Sequence, residues 1–280
     1  METLYAVMET LLPFEWMSYT FMKNALLAML LITPLFGVLG TMAVDNKMAF
    51  FSDALGHSAF TGIAIGSICG FADPIWMSVV FAVAFSVLFS FVRSRSNQSA
   101  DTIIGVFSST AVALGVFVAT LGGGSFTKYN RYLIGDLLSV TPSQIGLLAI
   151  VFVVVFLFWL FLSNRLFLSA MHPQLASSRG IPVAVLQGAF TALIAVVVTL
   201  AISWVGLLII NSLLVLPSAA ARNVSRNLKQ YHIFSVIFAL FSCIAGLVLS
   251  YYLSASTGAA ICLVLAMIFA ISFLLRKVCR

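Results

Sequence analysis

Charge is what this sequence most lacks. Only 8% of its 280 residues are Asp, Glu, Lys or Arg, where a soluble domain carries about a quarter. With 62% of the chain hydrophobic, no soluble fold could cover the apolar surface. Period-two alternation is also missing, which excludes a membrane barrel; continuous runs such as LLAIVFVVVFLFWLFL (147–162) are helical instead. Cysteine is sparse. Cys69, Cys243, Cys262 and Cys279 stand apart without a C-x-x-C pair, and are expected to be small apolar fillers. No small-residue cleavage site closes the first apolar run, so no removed signal peptide is expected. A nucleotide loop is absent too: Gly122–Gly124 has no following G-K-[ST] and reads as a turn. Any ATP-driven step therefore needs a separate ATPase chain. There is no basic patch on a soluble surface, which argues against nucleic acid.

What is present is a series of apolar segments, near 17–40, 48–70, 74–92, 101–121, 144–164, 183–202, 204–221, 231–252 and 257–275. Most reach the ~20 residues that a bilayer core requires. Segment 204–221 is short and contains Pro217, so it reads as a broken or tilted span. The fold expected is all-α, a polytopic transmembrane bundle of eight or nine spans forming one domain over residues 1–280. With the N-terminus outside, every Lys and Arg except Lys23, Lys128 and Arg131 falls on the inside, which orients the chain with its C-terminus inside. No internal repeat stands out.

Two connections are longer than turns. The inner one, RLFLSAMHPQLASSRGIP (165–182), has room for a short helix between Pro173 and Gly180. Its Leu168, Met171 and Leu175 form an apolar face that could dock on a partner or on its own bundle. The outer one, GGGSFTKYNRYLIGDLLSVTPSQ (122–144), has a short amphipathic helix expected over 131–140. Asp136 within it could guide cations or pair with Arg131.

One span breaks the apolar rule. In AFFSDALGHSAFTGIAIG (49–66), Asp53 and His57 are four residues apart and share a helix face. At 1.5 Å per residue, His57 is about 14 Å from the inner end of its segment. A lone charge there costs roughly 2.5–3.5 kcal/mol. The surrounding Ala, Gly and Ser allow close helix packing and place this helix centrally. Three readings stand at this point. The pair could ligate a divalent cation, with zinc first and manganese or iron(II) behind it. It could fix helix packing, or it could relay protons. Asn211 and Ser212 also interrupt an apolar run, either bridging helices or facing the same path. His172 and His232 read as surface residues at the inner edge.

Four stretches in order along the chain are familiar together: FFSDALGHSAFTGIAIG (50–66), YLIGDLLSVTPSQI (132–145), WVGLLIINSLLVLPSAAARNVSRNL (204–228) and GLVLSYYLSASTGAAI (246–261). They resemble the membrane permease subunit of bacterial zinc and manganese ABC importers. That resemblance implies a permease homodimer in the bacterial inner membrane, ATP-binding subunits on the cytoplasmic side, and an extracytoplasmic metal-binding protein that delivers the ion. It assigns the ion path to Asp53 and His57. It assigns a cytoplasmic coupling segment to 166–182, with Met171, His172, Pro173, Gln174, Leu175, Ala176 and Gly180 at its centre. Members often carry an acidic residue early in that segment, where this chain has His172, Pro173 and Gln174. Asp136 in GDLLSVTP leans toward the zinc members. The permease would hold no permanent cofactor, carry Zn²⁺ (or Mn²⁺ or Fe²⁺) as cargo, and catalyse no bond chemistry. The alternative is a stand-alone secondary carrier or channel for the same ions, driven by a proton gradient.

Overall fold

Long apolar runs separated by Gly, Pro and polar turns become helices that end where those breakers stand. The computed structural model of the chain describes Tyr5, Met8 and residues 15–71, 73–121 and 137–279. In order, its helices are α1 (Thr20–Asp45), α2 (Phe51–Ile68), α3 (Pro74–Arg95), α4 (Ala100–Thr120), α5 (Pro142–Met171), α6 (Pro173–Ser178), α7 (Val183–Val205), α8 (Leu207–Val224), α9 (Leu228–Leu253) and α10 (Thr257–Cys279). Short 3-10 turns at Glu15–Ser18 and Leu137–Ser139 complete the described structure. The helix expected over 131–140 falls largely on residues outside those described, as do Arg131 and Asp136; its described remainder is the turn at Leu137–Ser139.

Helix starts follow local chemistry. Asp73 accepts from the Ile75 amide with Pro74 behind it, Ser99 accepts from Thr102, and Asn227 accepts from Gln230. Thr141 and Gln144 form a reciprocal capping box ahead of the 30-residue α5. The break between α7 and α8 is a single residue, Gly206 at φ 89°, a backbone region that side chains other than glycine's resist. Pro217 sits inside α8 without ending it. The short segment 204–221 is therefore neither broken nor part of one span: its first two residues end α7, and after Gly206 a continuous helix runs from Leu207 to Val224.

Nine of these helices are 18 residues or longer among the described residues. Eight of the nine are long and apolar enough to cross a membrane, α8 among them; α2 is the ninth and falls short. Its polar and small residues lower its hydropathy, yet its ends lie at opposite ends of the bundle. Arg93, late in α3, donates to Asn46 O at 2.8 Å, next to the start of α2. α2 therefore runs the length of its neighbours.

Packing divides the helices. α2 packs on α3 and α4, and α3 packs on α7. α1, α8, α9 and α10 form a second group, with α5 against α1. α2 and α7 also touch α8 and link the two groups. In the first group the rings of Phe51, Phe89 and Phe107 lie 4.6 and 5.6 Å apart in succession. In the second, Ser235 donates to Gly37 O at 2.6 Å and Thr33 to Cys243 Sγ at 3.2 Å. Cys243 is a buried filler as expected, whereas Cys69 is exposed at the end of α2.

His232 is not a surface residue. It lies against Trp159 and Phe167 of α5, ring centroids 5.3 and 4.9 Å away, and its Nδ1 is 2.9 Å from Thr41 Oγ1. Arg222 pairs with Asp45 at 3.2 Å. These contacts gather the ends of α1, α3, α5 and α8 and the starts of α2 and α9 at one end of the bundle. α6, one residue after α5, belongs to that end.

Candidate functional site

α2 owes its position to its small residues. A Cβ on Gly62 would come within 2.5 Å of Ser78 Cα on α3, so the two backbones touch where no larger residue fits. Ser78 donates to Ala59 O at 2.9 Å, and Thr61 donates to Ala111 O on α4 at 2.7 Å. Such close approach is what small and hydroxyl residues supply between membrane helices. Burial on α2 is nearly complete as a result. From Phe51 to Ala64, every residue is buried except Asp53 and His57. A helix period of about 3.6 makes this an open slot one turn long, floored by a carboxylate and an imidazole.

Within the slot, His57 Nε2 lies 3.5 Å from Asp53 Oδ2, and the two side chains are 29% and 44% exposed. The other carboxylate oxygen, Oδ1, accepts from Asn211 Nδ2 of α8 at 3.2 Å. Asp53 thus has one oxygen tied to a neighbouring helix and one directed at the imidazole. Two buried polar atoms close by have no partner: Asn211 Oδ1 and Ser52 Oγ. Both residues line a cavity of about 430 Å³. Ala49, Phe50, Ser52 and Asp53 form one wall, and Asn211, Ser212, Val215 and Leu216 form the other. Since α2 starts and α8 ends at the α6 end of the bundle, the cavity leads from Asp53 toward that end.

Of the residues expected from sequence, Asp53, His57, Asn211 and Ser212 come together. Asn211 does bridge two helices, but its partner is the carboxylate itself. Ser212 donates to Leu208 O at 2.7 Å within its own helix and presents little else to the cavity. Asp136 is outside the described residues. Ser52 had no signal beyond its place next to Asp53. Among the described residues no cluster of three or more His, Cys, Asp and Glu suited to a metal exists. Among the described residues, Asp53 and His57 are joined by Asn211, whose amide bonds the Asp53 carboxylate.

At the α6 end, the short helix Pro173–Ser178 forms where room for one was read, with Ala176 fully buried beneath it. Gly180 takes φ 73° and turns the chain into α7. Met171 and Leu175 are 63% and 45% exposed. His172, Pro173 and Gln174 are exposed beside them, so the surface expected to dock stands uncovered.

The model of the ABC 3 transport family matches residues 18–276. The chain is 28% identical to the high-affinity zinc uptake system membrane protein ZnuB of Haemophilus influenzae, over 90% of its own length and 97% of that protein's. It is 27% identical to the manganese transport system membrane protein MntC of Halalkalibacterium halodurans, over 92% of its length and 88% of that protein's. Among solved structures, PsaBC from Streptococcus pneumoniae in complex with Fab superposes with a TM-score of 0.78. That likeness covers 98% of this chain and 95% of the matched one at 24% identity, and shows the shared fold.

Proposed function

This chain belongs to the ABC 3 transport family, and we propose from that premise that it is the membrane-spanning subunit of an ATP-driven importer of a divalent transition metal, with Zn²⁺ as its main cargo. Relatives named for zinc and for manganese transport support the metal. The observation that carries the reading is the slot in α2, whose only unburied residues between Phe51 and Ala64 are a carboxylate and an imidazole. A carboxylate oxygen and an imidazole nitrogen suit a borderline divalent ion. A site with few ligands also suits cargo, which must be released as readily as it is captured.

In the proposed cycle two copies of the permease assemble in the bacterial inner membrane. An extracytoplasmic binding protein docks on the outer connections, including 122–144 with Asp136, and releases one ion. Asp53 and His57 hold it in passing, as carboxylate and neutral imidazole. Protons compete for both groups, so uptake falls as the medium is acidified. ATP-binding subunits engage the 166–182 segment through Met171, Leu175 and their exposed neighbours. Their closure moves α6 as a rigid lever on α5 and α7, and access passes from the outer side to the cavity below Asp53. The chain itself breaks no bond.

The test is uptake of ⁶⁵Zn²⁺ into proteoliposomes containing the permease, its ATP-binding subunit and the delivery protein. Asp53→Asn and His57→Ala should each abolish uptake while the complex still assembles; normal uptake in both would remove the proposed path. Leu175→Asp should reduce co-purification of the ATP-binding subunit, and undiminished recovery would exclude α6 as the docking element.

A further inference from the structure

Asp53 and His57 leave an ion under-coordinated, since zinc is usually held by four ligands and manganese by about six. No further His, Cys, Asp or Glu joins them among the described residues to make a cluster of three. The neighbouring amide supplies what is missing. Asn211 presents its Nδ2 edge to Asp53 Oδ1 at 3.2 Å. Its carbonyl oxygen, Oδ1, is buried with no hydrogen-bond partner. A buried acceptor left unpaired is a standing cost to the fold. The opposite orientation would set an acceptor against a carboxylate, so no protein group in the ion-free site satisfies both ends of the amide.

A cation reverses that preference. Once a divalent ion sits on Asp53, the positive NH₂ edge of Asn211 is repelled by it and the carbonyl edge is attracted. The terminal torsion of asparagine is broad and roughly two-fold, so a half-turn exchanges the edges without moving the backbone. We propose that Asn211 is a third, switchable ligand of the transported ion: it donates to Asp53 when the site is empty, and turns its Oδ1 onto the ion when the site is filled. Resting on the assignment of the ion to Asp53 and His57, this adds the residue that sets metal preference. The completed set is two oxygens and one nitrogen, with the adjoining cavity of about 430 Å³ able to supply water. A neutral oxygen ligand matters most to Mn²⁺, which favours oxygen and high coordination, and least to Zn²⁺, which is content with imidazole and carboxylate. Asn211 therefore widens a zinc site to accept manganese.

The test uses the purified full chain in detergent micelles, titrated with ZnSO₄ or MnCl₂ alone. Asn211→Leu is expected to weaken Mn²⁺ binding by about tenfold and Zn²⁺ binding by less than about twofold, with Asn211→Asp recovering Mn²⁺ binding. His57→Ala separates the two claims. If it leaves both metals unaffected, the site itself has been misassigned. If it abolishes binding while Asn211→Leu leaves Mn²⁺ unchanged, or weakens both metals equally, the switchable ligand is overturned. Retained Zn²⁺ binding reports that Asn211→Leu is folded; should it not fold, Asn211→Ala carries the same comparison.

Discussion

Helices α2 and α5 cross the same bundle in opposite directions and with opposite compositions. α5 has 30 residues and a mean hydropathy of 3.1 in its most apolar stretch, of which only 22% is buried by protein. α2 has 18 residues, carries Asp53, His57 and three glycines, and is almost wholly buried. The difference lies in what each helix faces. α5 presents Val153, Val154, Phe156 and Leu157 outward from the bundle, the surface a membrane helix turns to lipid tails and fills with apolar side chains. α2 is solvated by other helices, so small and polar residues serve it better: they bring backbones into contact and pair across the interface. Apolarity marks the outside of this protein, and polarity marks the packed interior.

That contrast can be broken in four graded ways. The largest effect is expected from Val154→Asp, an aspartate placed on the outer face of α5. It should cost roughly 3 kcal/mol of membrane insertion and show as a loss of folded protein on expression, although Asp53 is tolerated in α2. Wild-type yield would mean that α5 does not face lipid. Next is Gly62→Val, whose Cβ would come within 2.5 Å of Ser78 Cα on α3 before its branches are added. It should lower stability by about 2 kcal/mol, read as a reduced melting temperature in detergent. An unchanged melting temperature would show that α2 and α3 are not in contact there. Smaller is Arg222→Ala at the bundle end, whose guanidinium is 62% exposed beside Asp45. Its loss should cost below about 1 kcal/mol and leave uptake near normal. Smallest is Val154→Ala, which swaps one apolar group for another against lipid and should stay within about 0.5 kcal/mol of wild type.

Much of the candidate site's make-up could be read before any fold was known. Two ionisable residues a turn apart in an otherwise apolar span are costly unless used, and small residues around them announce a helix packed on several sides. Both signals are local. The bond from Asn211 to Asp53 joins residues 158 positions apart, and no periodicity encodes it. In sequence Asn211 is merely a polar interruption, with helix bridging the first reading and path-lining the second. His232 illustrates the same limit from the other direction. Its place beside charged residues at a helix start reads as exposed, yet α5 folds across and covers it with Trp159 and Phe167. The number of crossing helices was ambiguous for a related reason. Segment 204–221 is short and holds Pro217, yet the helix there runs from Leu207 to Val224 straight through that proline, set off from α7 by Gly206 alone.

Composition alone settled that this chain is a bundle of membrane helices, because unsatisfied backbone groups and exposed apolar surface admit no other solution at this charge density. Which face of α2 stays open, which oxygen of Asp53 is tied down, and where the cavity beneath it leads were settled by packing. Those properties belong to contacts between distant segments, and a contact has no existence until both helices are in place.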